Sequence, residues 1–264
     1  MKKRQILQGV LGLLLLVCVG YLGMYAWKNY QTAQLNQQVQ ELAHPTMEPV
    51  PTEKPVEIPI DFAALQEKNP DIYAWIELPC CEEGMPILHH PTEDDYYLNH
   101  TVDKKSGLPG SLYTQQWNTL DFSDFNTIIY GHNMKNGSMF GHLKRYRDSE
   151  YLADNRDIVI YTPTEKRVYR IFAAVVYSDA HIPSKYNGFT ETKDRIAFLE
   201  SLSKTGDAVS QVLDDVPVDE NSQLLTLSTC VGSRPNNRYL VVAAYCGEEP
   251  LSTPTPEPTP SANA

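Results

Sequence analysis

Leu224-Leu225-Thr226-Leu227-Ser228-Thr229-Cys230, then Val231-Gly232-Ser233-Arg234-Pro235-Asn236-Asn237, then Arg238-Tyr239-Leu240-Val241-Val242-Ala243-Ala244-Tyr245 is the stretch on which the fold turns. In its first segment Leu225, Leu227 and Thr229 alternate with Thr226, Ser228 and Cys230, the period-two pattern of a half-buried strand. The last segment is a continuous apolar run with β-branched members, long enough for a strand buried on both faces. Gly232, Pro235, Asn236 and Asn237 lie between them and are residue types that let a chain turn. If two strands joined in this way lie side by side, Cys230 and Arg238 face each other across the mouth of the loop. A fixed cation beside a thiol favours the thiolate and offers a donor to an oxyanion formed there. Cys230 is therefore a candidate nucleophile, against the plainer readings of a disulfide half or a packed small hydrophobe. The cysteine on the next strand, Cys246, stands eight positions beyond Arg238. At about 3.3 Å per residue it lies roughly 25 Å down that strand, out of disulfide reach.

A thiol nucleophile needs a proton acceptor, usually a histidine from elsewhere in the chain. Thr127-Ile128-Ile129-Tyr130 reads as a short strand ending in Gly131-His132-Asn133-Met134, followed by the turn Lys135-Asn136-Gly137 and by Ser138-Met139-Phe140. His142 is the competitor, on a segment with helical spacing at Phe140, Leu143 and Tyr146. Arg234 is likewise the rival of Arg238. The Tyr-Gly-His-Asn-Met run together with Leu-Ser-Thr-Cys and a following arginine resembles the sortases, membrane-anchored cysteine transpeptidases of Gram-positive bacteria. The run Asn69-Pro70-Asp71-Ile72-Tyr73-Ala74-Trp75-Ile76 and a helix ahead of the cysteine strand are similar to class B in particular. The likeness covers roughly residues 61 to 247. It implies a mostly β fold: a closed barrel of about eight strands with N-terminal helices and a helix inserted before the cysteine strand.

The same resemblance assigns roles. Cys230 attacks the carbonyl of a Thr in the C-terminal sorting signal, of NPxTx or xPxTG type, of a secreted protein. His132 acts as general acid and base, and Arg238 holds the substrate carbonyl and the oxyanion. Thr229, Ser228 and Asn133 contact substrate. An amine of a peptidoglycan precursor or a pilin then resolves the thioacyl enzyme, with no cofactor and no metal. No acidic residue is placed by the sequence to orient His132. Two other classes stay open. One is another exported cysteine peptidase, although an L,D-transpeptidase box with histidine two residues before cysteine is absent and a papain-like order would put cysteine first. The other is a non-enzymatic surface β-domain with an inert Cys230.

The remaining chain sets the context. A net charge of −11 argues against nucleic acid as a partner. Cysteines at 18, 80, 81, 230 and 246 show no CxxC spacing and no regular framework, so at least one free thiol is expected and a zinc site is not. His89 and His90, adjacent on a strand, point to opposite faces and make a poor ligand pair. Residues 1–5 carry Lys2, Lys3 and Arg4, and residues 6–27 are almost wholly apolar with Tyr21, Tyr25 and Trp27 crowding the far end. That pattern predicts an uncleaved signal-anchor spanning the membrane once, with a cytoplasmic N-terminus and the catalytic domain outside. Residues 28–60 form a Gln- and Pro-rich spacer, 61–247 the catalytic domain, and 248–264 a Thr/Pro-rich tail expected to be disordered. Thr192 to Lys204 reads as an amphipathic helix with Thr192 as N-cap and Ile196, Leu199 and Leu202 as its apolar stripe. Cys80 and Cys81 fall in a turn, as edge thiols or a strained vicinal disulfide.

Overall fold

The computed structural model describes residues 2–44, 58–107 and 109–247, with side chains from residue 14 onward. Residues 45–57 of the Gln- and Pro-rich spacer and the tail (248–264) lie outside the described residues. The chain divides into an N-terminal unit and a larger one. The first is a single helix, α1 (Lys2–Ala43), which runs without a break through both the apolar segment and the polar one after it. The large apolar side chains from Leu14 to Trp27 are exposed on it. Among the described residues no helix is long and apolar enough to cross a membrane; the opening part of the apolar run, residues 6–13, falls outside the described side chains.

The second unit opens with α2 (Phe62–Lys68), capped by the Asp61 carboxylate, which accepts from the Ala64 N–H at 2.9 Å. The strands are β1 (Ile72–Glu77), β2 (Met85–His89), β3 (Leu112–Thr114), β4 (Asn126–Tyr130), β5 (Asp157–Tyr161), β6 (Lys166–Ser178), β7 (Gln211–Val212), β8 (Leu224–Val231) and β9 (Arg234–Gly247). Their order is β5-β1-β2-β3-β4-β8-β9-β6-β7, and a further pairing of β5 with β6 closes eight of them into a barrel, with β7 appended to β6. The pairs β2–β3 and β4–β8 are parallel. Short helices fill the connections: a 3-10 segment Phe140–Arg147, α3 (Ser149–Asp154), α4 (Ile182–Lys185) and α5 (Thr192–Ser203).

Two apolar cores lie on the two faces of the barrel wall. Ile76, Ile87, Ile129, Ile160, Leu225, Leu227 and Val241 pack in one, roofed by Phe140, Leu143 and Tyr146 of the 3-10 segment. Ile128, Val175, Leu224, Leu240 and Val242 face the other, covered by Tyr186, Phe189 and the α5 residues Phe198 and Leu202. This second layer corrects the half-buried reading of β8. Residues 224–229 are all buried, and only Cys230 on that strand is exposed. Thr226 tolerates burial because its hydroxyl donates to Asn126 Oδ1 at 2.8 Å.

Three local expectations change for physical reasons. The N-cap of α5 is Glu191 rather than Thr192, and it makes no side-chain cap bond. The helix buries Phe198 and Leu202, with Leu199 packed at the edge, while Ile196 is 40% exposed; the bulkier Phe198 captures the core-facing side. The turn after Cys230 is also tighter than its composition suggests. Strand β9 begins at Arg234, so Pro235, Asn236 and Asn237 are strand residues. Their spacing is absorbed by a bulge, since Cys230 pairs with Arg238 while Val231 pairs with Arg234. Asn237 pairs with Ser178 of β6 instead, and Asp179 N–H donates to the Asn236 carbonyl at 3.1 Å.

Candidate active site

Strand β8 lies between β4 and β9, so the residues just after β4 run beside the end of β8. The parallel register pairs Tyr130 with Ser228, and the ladder runs one step further through Gly131 N–H donating to the Ser228 carbonyl at 3.1 Å. His132 and Cys230 are thus each two positions past a directly paired couple, on chains about 4.8 Å apart. On the other flank, Cys230 is in register with Arg238. The sulfur therefore sits at the centre of one barrel edge, with the imidazole-bearing chain on one side and the guanidinium-bearing chain on the other. Cys230 is exposed and carries no disulfide, like each of the other cysteines.

Two side-chain bonds stitch these strand ends together. Thr229 Oγ1 donates to the Gly131 carbonyl at 2.7 Å, and Asn133 Nδ2 donates to the Cys230 carbonyl at 2.8 Å. Ser228 is buried beneath them. The His132 carbonyl accepts from Phe140 N–H at 3.1 Å, tying the histidine to the 3-10 segment. Gly131 has no room for a side chain, because a Cβ there would collide with Leu112 and Phe140. Gly131→Ala is accordingly expected to cost about 1–3 kcal/mol in a denaturant melt. It should also lower turnover by tenfold or more, in the range for small misplacements of reacting groups, since relief of the clash moves His132.

The imidazole has a main-chain partner. His132 Nε2 lies 2.7 Å from the Leu98 carbonyl, an acceptor only, so Nε2 carries the hydrogen and Nδ1 is the second ring nitrogen. Leu98 closes a one-turn helix, Tyr96–Leu98, whose position is fixed from below. The Tyr97 hydroxyl donates to Asp71 at 2.5 Å, Asn69 Nδ2 donates to Tyr97 Oη at 3.0 Å and to the Val102 carbonyl at 2.8 Å, and Lys104 pairs with Asp71 at 2.8 Å. Burial pushes the Asp71 carboxyl up, but the bonds from Lys104 and Tyr97 outweigh it and hold the group below its ordinary value. The Asn69-Pro70-Asp71 run, which carries part of the class B resemblance, thus anchors the loop that presents a carbonyl to His132. Sequence reasoning missed Leu98 because a main-chain acceptor leaves no residue-type signal.

Arg238 is half-buried, and its Nη1 donates to the Pro235 and Asn237 carbonyls at 3.1 Å each, so the bulge orients the guanidinium. Arg234 is committed elsewhere, in an ion pair with Asp207 whose bonding keeps that carboxyl below its usual value. His142 packs over Gly137 in the turn after the histidine. The structure brings Cys230, His132, Arg238, Thr229, Ser228 and Asn133 to one edge, and leaves Arg234 and His142 outside that cluster. His89 and His90 also diverge: His89 Nδ1 bonds Thr114 Oγ1 at 3.0 Å, whereas His90 stacks on Tyr96.

Residues 76–245 match the family model of the sortase domain. The chain belongs to the sortase family. Sortase B of Listeria monocytogenes is 32% identical over 174 residues, covering 66% of this chain and 68% of that protein. Among solved structures, sortase B from B. anthracis in complex with AAEK2 superposes with a TM-score of 0.67 at 27% identity, over 82% of this chain and 96% of that one. A Staphylococcus aureus sortase B–substrate complex gives 0.60 at 27% identity, over 70% and 83%. This sortase is a cysteine transpeptidase of the class B type, and its relatives share the closed barrel.

Proposed function

We propose that this sortase cleaves the C-terminal sorting signal of a secreted protein after a Thr and transfers the new carboxyl end to an amine. What carries the reading is the exposed, unpaired Cys230 in register with Arg238 and beside the chain that bears His132. The Cys230 thiolate adds to the Thr carbonyl carbon, and the carbonyl electron pair moves onto oxygen. Arg238 donates to that oxyanion. Collapse expels the amine of the next residue, which takes a proton from His132, and leaves a thioacyl enzyme. An incoming amine of a cell-wall precursor or a pilin gives its proton back to His132 as it attacks, and the thiolate departs.

Thr229 has used its hydroxyl hydrogen on Gly131 but keeps lone pairs to accept a substrate N–H, and Asn133 keeps its amide oxygen; Ser228, the third substrate contact expected from the sequence, is buried. A substrate of the NPxTx or xPxTG type supplies the Thr. The apolar residues 6–27 anchor the enzyme in the cell membrane with the N-terminus inside, a reading supported by the exposed apolar side chains from Leu14 to Trp27.

Product analysis tests the reaction class. Full-length protein is incubated with fluorogenic NPxTx and xPxTG peptides, with and without an oligoglycine amine, and products are identified by mass. The expected result is a peptide ending in Thr joined to the added amine, at the expense of the free acid. Free acid alone would make the protein a peptidase, and no product from any peptide would favour a binding domain.

A further inference from the structure

Cys80 and Cys81 stand apart from the strand edge that holds Cys230, in the turn that joins β1 to β2. Cys81 N–H donates to the Leu78 carbonyl at 3.0 Å, which closes the turn. Cys80 is 2% exposed within the barrel core, whereas Cys81 is half-buried at its margin. The two Sγ atoms are 3.7 Å apart, in hydrogen-bonding contact. Both carbonyls flanking the first cysteine are held by a neighbouring layer: Arg145 Nη1 donates to the Cys80 carbonyl at 3.4 Å, and Tyr151 Oη donates to the Pro79 carbonyl at 3.1 Å. The Arg145 guanidinium stacks 4.8 Å above the Tyr151 ring, which fixes a cation beside the pair. A buried thiol, an accessible thiol in contact with it and a clamped arginine form a site that the transpeptidase reaction does not use.

We propose that Cys80–Cys81 is a thiol–disulfide exchange site that reacts with small-molecule disulfides and closes to a reversible vicinal disulfide. Cys81 is the attacking sulfur. The Cys80 S–H donates to it and Arg145 lies nearby, and together these outweigh burial and draw the Cys81 thiol below its ordinary value, while Cys80 is pushed up as the donor. Cys81 thiolate attacks one sulfur of RS–SR, forming a Cys81 S–SR bond and expelling RS⁻, which takes a proton from solvent. Cys80 then loses its proton and attacks the Cys81 sulfur, expelling the second RS⁻. Two protein thiols are oxidised and one disulfide is reduced to two thiols. Neighbouring Cα atoms are about 3.8 Å apart across a trans peptide, below the roughly 4.4–6.8 Å of ordinary disulfides. The product is therefore strained and is reduced readily, as labile disulfides are.

The test uses full-length protein carrying Cys230→Ala, to remove the competing nucleophile, exposed to oxidised glutathione and followed by peptide mass. The peptide spanning both cysteines should lose two hydrogen atoms and regain them with dithiothreitol. Cys80→Ser should stop at a glutathione adduct on Cys81, because the resolving sulfur is gone. Cys81→Ser should leave Cys80 reduced at least about tenfold longer, since the buried thiol lacks access and thiolate character. Arg145→Gln should slow the first step several-fold near neutral pH. A depressed thiol is ionised above its own value, so adduct formation should fall as pH drops through that value, and should do so at a lower pH than in Arg145→Gln. Reduced Cys80 and Cys81 under conditions that modify Cys246, or equal rates for the two single variants, would overturn the assignment.

Discussion

Cys230→Ala should abolish peptide cleavage, with turnover falling by at least about 10⁴-fold, as expected when the atom that forms the covalent intermediate is removed. The same substitution should leave the fold intact. The side chain is exposed at the end of a strand whose other residues from 224 to 229 are buried, so its loss opens no cavity. Stability in a thermal or denaturant melt should shift by no more than about 0.5 kcal/mol. His132→Ala should approach the same loss, because in the proposed mechanism both the leaving amine and the incoming one exchange a proton at that ring. The two variants separate in one respect. With Cys230→Ala no thioacyl species can accumulate, whereas His132→Ala retains the sulfur and should still be labelled, slowly, by a thiol-reactive peptide analogue. Turnover retained by Cys230→Ala would remove the nucleophile assignment altogether.

Much of this was legible in the sequence because strand pairing is read from local pattern. The cross-strand meeting of Cys230 and Arg238 follows once two apolar runs are seen to flank a turn, and the register observed is that one. What escaped has three physical causes. Burial on both faces of β8 depends on α5 and its neighbours, contributed from more than twenty residues upstream, and the alternation of Leu with Thr and Ser carries no trace of that cover. The bulge at residues 235–237 arises because Asn236 and Asn237 find partners on β6, a tertiary choice that turn-forming composition alone points away from. The partner of His132 is a carbonyl, held in place by Asp71, Tyr97 and Asn69 across the domain, and no side-chain motif announces a carbonyl. In the same way, the turn holding Cys80 and Cys81 was readable, but the clamp from Arg145 and Tyr151 was not.

Arg238→Ala should lower kcat by about 10²–10³-fold, the range for loss of an oxyanion donor, while Arg234→Ala should stay within a few-fold of the parent. The sequence offers both arginines close behind the cysteine and favours Arg238 by its place ahead of the last apolar run; their surroundings separate them further. Arg234 is spent on Asp207, so its removal breaks an exposed ion pair of the kind that contributes little to stability. Arg238 is in register with Cys230 and uses Nη1 on the two carbonyls of the bulge, which leaves Nε and Nη2 to meet charge that develops on a substrate oxygen. A donor that acts on that charge stabilises the transition state more than the ground state, so the loss should appear in kcat with KM changed far less. Arg238→Lys should recover only part of it, because a single ammonium cannot keep both carbonyl bonds and also reach the oxyanion. A pattern in which Arg234→Ala is the crippling variant, or in which Arg238→Ala raises KM alone, would move the oxyanion donor to another group and leave Arg238 as an anchor for the bulge.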